Sequence, residues 1–200
     1  CDRPPADDGR DGPALASGLE LGPRPGRHAP QATEPPAPDG RDAGTLGITA
    51  AEIRERFGVH VTEVPGDVSE PRIQAELLAA CPSPDILVNN NGGPPRREFS
   101  ELTRQNILDG VVQNMITPIE LTKAVIDGMA ARGFGRIVNI TSLSVYVPIP
   151  GLDVSSGARA GLTGFVAGVA RQVARHNVTI NNLLPGAFDT DRIAALNATI

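Results

Sequence analysis

Polar residues gather where apolar runs end. Asp67 closes the run VHVTEVPGD, Asn89 to Gly93 follow DILV, Thr141 and Ser142 end GRIVNITS, and Pro185 to Thr190 follow VTINNLL. Carboxamides, hydroxyls and one carboxylate so placed supply hydrogen-bonding groups for a small polar ligand. Gly92 and Gly93 lack a Cβ and let that ligand approach the main chain closely. Each feature alone ends many strands for turn reasons. Their joint placement is the signal, because ligands of open parallel sheets bind outside the carboxyl ends of the strands. No metal is expected there. Tyr146 is the only tyrosine and Lys123 the only lysine, so a phenol and an amine are each available at one position.

These residues need a sheet to hold them. From about residue 50, apolar runs alternate with amphipathic stretches, which predicts an α/β domain with a parallel sheet. AAEIRERF ends a helix before Gly58, VHVTEVPGDV reads as a strand, and Ser69 is expected to cap a helix through RIQAELLAA. DILVNN is a short buried strand, residues 102–133 a long helix closed by Gly133, and GRIVNITS a third strand. Residues 155–176 form a helix and VTINNLLPG a fourth strand. Within the long helix, Pro118 has no amide hydrogen, so the carbonyl of Asn114 loses its helical partner. Two readings stand: a carbonyl free to hold a water, or a kink that wraps the helix around the core.

Residues 1–49 differ in character. The first fifty residues hold 9 Pro and 8 Gly but only five of the Leu, Ile, Val and Phe set, too few to offset the entropy of ordering. A disordered or aberrant segment is expected there, with the domain proper at 50–200; a Pro-rich docking segment is the other reading. The chain begins with Cys1 rather than Met, and a processed or truncated start is the expectation. A net charge of −5 argues against a nucleic-acid partner, and no apolar run approaches the length needed to span a bilayer. Two cysteines suit a reducing compartment, so a cytoplasmic protein without a membrane partner is expected.

Residues 51–192 resemble the short-chain dehydrogenase/reductase family, most of all its 3-oxoacyl-acyl-carrier-protein reductase-like members. NNNGG is similar to the family's Asn-Asn-Ala-Gly turn with Asn91 in the alanine place, GRIVNITS to the strand that delivers the catalytic serine, here Ser142, and PGAFDT to the segment touching the nicotinamide. The resemblance implies a Rossmann-like doubly wound parallel sheet lacking its first two strands and its last. It implies NAD or NADP as cofactor, a carbonyl or alcohol substrate and a homo-oligomer. It assigns the cofactor to Asp67, Asn89, Asn91, Gly92, Arg159, Pro185, Gly186 and Thr190, and catalysis to Ser142, Asn114, Ser155 and Arg159. In the family the last two places hold Tyr and Lys. A serine hydroxyl is a far weaker acid than a phenol of reference pKa near 10, and arginine stays charged where lysine can be tuned. Tyr146 either lines the site with its hydroxyl in water or stands in as proton donor. The family's Gly-rich phosphate turn is expected before residue 50, where neither G-x-G-x-x-G nor G-x-x-x-G-x-G occurs.

Two functions follow as expectations. One is a divergent, slow NAD(P)-dependent oxidoreductase; the alternative is a non-catalytic Rossmann-fold binding or oligomerisation module. Self-association is expected through the long helix and the stripe Leu162, Phe165, Val166, Val169 and Val173, with Gly161, Gly164 and Gly168 allowing close approach.

Overall fold

The computed structural model describes residues 15–16 and 40–186. Expectations for residues 1–14 and 17–39, and for Thr190, lie outside the described residues. Helix α1 (Ala43–Phe57) starts ahead of the expected boundary at residue 50 because Asp42 caps it, its carboxylate accepting the Thr45 amide at 2.7 Å. Helix α2 (Pro71–Ala80) begins at a proline, whose ring presets the first helical φ. Ser69 does not cap it. Its hydroxyl instead donates to Asp67 at 2.7 Å.

The sheet is parallel throughout, in the order β1 (Leu15–Ala16), β2 (Ile86–Asn89), β3 (Gly135–Ile140) and β4 (Val178–Leu183). Three of the four expected strands are present. The fourth, expected in VHVTEVPGDV, is not: residues 58–65 are irregular, and the strand beside β2 is the two-residue β1. A strand needs a neighbouring ladder to satisfy its main chain. Here the Val61 carbonyl takes the Arg54 guanidinium at 2.5 Å, and the Gly66 amide bonds the Gly40 carbonyl at 3.1 Å.

The long helical run divides into α3 (Arg104–Val111), a π-helical turn (Val112–Ile116) and α4 (Thr117–Arg132), closed by Gly133 at φ 70°. Only glycine adopts that cap conformation at no steric cost. Leu121, Val125 and Met129 recur at helical spacing along α4 and bury against Leu87, Ile137 and Val178 of the sheet. Helix α5 (Asp153–Val173) runs beside them. It meets α3 closely at Gly110, where an added Cβ would overlap the Val154 side chain.

The α5 stripe does not face outward as one surface. Leu162 and Val166 are buried and Val169 and Val173 pack on the sheet core, which leaves Phe165 exposed. Burial on the sheet claims the apolar side chains first, because α5 has only one wide apolar face.

Candidate active site

Strand register brings the first group of polar residues together. Asn89, Asn139 and Asn182 stand side by side on β2, β3 and β4. Asn89 Nδ2 donates to Asn139 Oδ1 at 2.9 Å, and Asn139 Nδ2 donates to Asn182 Oδ1 at 3.0 Å. This carboxamide row ties the ends of three strands, and Asn89 is 2% exposed within it. Asn139 and Asn182 were not singled out from the sequence, although ILVN, RIVN and TINN each carry an Asn near the strand end.

Beyond β2 the chain turns through Asn91 and Gly92. Asn114 reaches this turn from the π-helical segment, which is where Pro118 removes a helical donor; the Thr117 amide bonds Val112, one residue further back than in an α-helix. Asn114 is 1% exposed, donates through Nδ2 to the Gly92 carbonyl at 2.8 Å and accepts the Ser155 hydroxyl on Oδ1 at 2.8 Å. Asn91 answers in the other direction, its Nδ2 donating to the Gln113 carbonyl at 2.9 Å.

Arg159 sits one turn beyond Ser155 on α5. Its Nε donates to Ser155 Oγ at 3.2 Å, one terminal nitrogen to the Ile140 carbonyl at 2.6 Å, and the other to the Asn91 carbonyl at 3.2 Å. The guanidinium therefore joins the ends of β2 and β3 to α5. Lys123 is exposed on α4.

The remaining residues frame the site without joining that network. Ser142 Oγ accepts the Ser144 amide at 3.1 Å, a bond that leaves its own proton to donate elsewhere. The Leu143 amide donates to the Pro185 carbonyl at 2.9 Å, so the loops after β3 and β4 are held together. Asp67 accepts the Ser69 amide at 2.9 Å and so closes its own turn. Tyr146 is 72% exposed, in keeping with a hydroxyl in water. Arg96, not foreseen, clamps the Pro150 carbonyl at 2.9 Å and holds the loop after β2 to the one before α5. Between them lies a cavity of about 220 Å³ lined by Pro94, Leu102, Asp109, Gln113, Gly151 and Ser155.

Two observations bear on a dinucleotide. A Cβ at Gly92 or Gly186 would meet nothing within 4 Å, so both turns offer open space for a ligand beside the main chain. Asn91 Oδ1 is buried without a hydrogen-bond partner and can take a donor. Both turns therefore leave room for such a group beside the main chain.

The sequence profile described as short chain dehydrogenase matches residues 40–200. The chain belongs to this family. It is 40% identical over 117 residues to acetoacetyl-CoA reductase of Cupriavidus necator, covering 58% of this chain and 47% of that one. It is 36% identical over 161 residues to the 3-oxoacyl-[acyl-carrier-protein] reductase of Vibrio harveyi, covering 74% and 62%. The chain thus spans about half to three-fifths of these relatives' length. L-sorbose reductase from Gluconobacter frateurii, solved with NADPH and L-sorbose, superposes with a TM-score of 0.72 at 26% identity, over 80% of this chain and 63% of that one. The short-chain dehydrogenase resemblance and the Rossmann-like parallel sheet are therefore established.

Proposed function

We propose that the site is that of an NAD(P)-dependent oxidoreductase acting on carbonyl or alcohol substrates. The observation that carries the reading is Asn114, delivered by the π-helical turn to a glycine-containing turn at the carboxyl edge of the sheet and bonded there to Ser155. The names of the relatives, reductases of acyl thioesters and of a sugar, support it. NAD or NADP, when bound, exchanges hydride with the substrate. Ser142 donates its hydroxyl to the substrate carbonyl and polarises it, and Asn114 holds a water. Arg159 keeps a fixed positive charge behind the site, and Ser155 relays a proton at most. We assign Asn89, Asn91, Gly92, Pro185 and Gly186 to the nicotinamide side and Asp67 to the adenine side, and place the protein in the cytoplasm.

The second reading, a non-catalytic module, is favoured by one feature. The Ser155 proton already belongs to Asn114, and the Arg159 nitrogens already donate to Ser155 and to two main-chain carbonyls. A titration of NADPH followed by its own fluorescence decides between them. Saturable binding is expected; no binding by folded protein would select the module.

Self-association belongs to either reading. Ile107, Leu108, Val112 and Ile116 on α3 and the π-helical turn are exposed, as is Phe165 on α5. This exposed apolar face suits a second copy of the chain. Sedimentation at micromolar concentration is expected to give at least twice the chain mass, and the Val112→Asp, Phe165→Asp protein a monomer. A monomeric parent would end this proposal.

A further inference from the structure

We infer that Arg159 is a positioning residue, which sets the Asn91–Gly92 turn through a closed ring of hydrogen bonds rather than by holding a ligand itself. The inference deepens the proposed function, since that turn is the one assigned to the cofactor, but the ring can be tested without cofactor.

The ring runs from Arg159 to the Asn91 carbonyl at 3.2 Å and from the Asn91 side chain to the Gln113 carbonyl at 2.9 Å. It crosses one peptide bond to Asn114, whose Oδ1 takes the Ser155 hydroxyl at 2.8 Å, and closes where Ser155 Oγ accepts Arg159 Nε at 3.2 Å. A cross-brace from Asn114 Nδ2 to the Gly92 carbonyl, 2.8 Å, pins the next residue of the turn.

Its polarity is forced. A guanidinium has donors and no acceptor, so Ser155 Oγ accepts from Arg159 and sends its own proton to Asn114. Asn114 must then present Oδ1 to Ser155 and Nδ2 to Gly92, which fixes the carboxamide's orientation. Asn91, Ser155 and Arg159 each differ from the motifs that this sequence resembles, and all three are members of this one ring. Lysine could not replace the arginine, because the three acceptors around Arg159 are each met by a different nitrogen of a rigid fork.

The side-chain N–H signals of Asn91, Asn114 and Arg159 in nitrogen-15 NMR spectra of the full chain report the ring directly. Asn91→Ala is expected to speed solvent exchange of the Arg159 Nε–H and the Asn114 carboxamide by about tenfold or more, with the Ile137 amide in the core unchanged. Arg159→Lys should do the same to the Asn91 carboxamide, and the double variant should add almost nothing for Asn114, because a ring opens once. Unchanged exchange of Arg159 Nε–H in Asn91→Ala, or additive effects in the double variant, would overturn the inference. Asn91→Ala keeps the test available should Arg159→Lys not fold. NADPH titration of the same variants separates the two claims: a parent that binds no NADPH sinks the proposed function and leaves the ring standing, whereas a parent that binds should weaken about tenfold in Asn91→Ala.

Discussion

Substituting Ser155→Tyr and Arg159→Lys together leaves ketone-dependent NADPH oxidation by this chain near the parent level. The phenol would restore a general acid, a contribution worth about 100- to 10,000-fold where everything else is in place. Two obstacles stand in the way. Ser155 is 8% exposed and wedged between Asn114 and Arg159, so a phenol must displace the hydrogen bonds that hold Asn114. Hydride transfer also requires reacting atoms within about 3–3.5 Å, which depends on an anchored pyrophosphate, and no glycine-rich phosphate turn precedes residue 50. Supplying a glycine-rich first half together with both substitutions is expected to raise the rate about 100- to 10,000-fold, far beyond either change alone. The measurement is a four-way comparison of the parent, each repair and both. Vigorous turnover by the Ser155→Tyr, Arg159→Lys protein alone would show that residues 1–49 bind the cofactor.

The second large effect is on stability. Ile137 lies at the middle of β3, is 0% exposed, pairs in register with Leu87 and packs in one cluster with Met129 and Val178. Ile137→Ala is expected to cost about 2–5 kcal/mol, since the rigid strand can collapse only partly onto the space left behind. Against a typical total of about 5–15 kcal/mol, that loss moves the urea midpoint well below the parent's. A loss under about 1 kcal/mol would mean that Met129, a flexible side chain, refills the cavity.

Local chemistry made much of the fold legible. Gly133 ends α4, the apolar runs of β2, β3 and β4 appear where alternation and β-branching put them, and Pro118 marks the π-helical turn to within a few residues. These features depend on residues within a turn or two of each other. VHVTEVPGDV has the composition of a strand, yet main-chain groups need a ladder beside them, and Arg54 and Gly40 answer Val61 and Gly66 instead. The α5 stripe shows the same limit: periodicity marked Leu162, Phe165, Val166, Val169 and Val173 as one face, but the interior takes four of them, wholly or in part, and leaves Phe165 outside.

The site divides along the same line. Its residue types, and the one-turn spacing of Ser155 and Arg159 on a helix, belong to the sequence. Which acceptors the guanidinium meets was a tertiary decision, because Ile140 lies 19 and Asn91 68 residues away along the chain. Nothing local distinguishes an arginine that binds a ligand from one that braces a turn: the side chain is the same, and the packing of α5 near the ends of the parallel strands β2 and β3 brings the carbonyls within its reach.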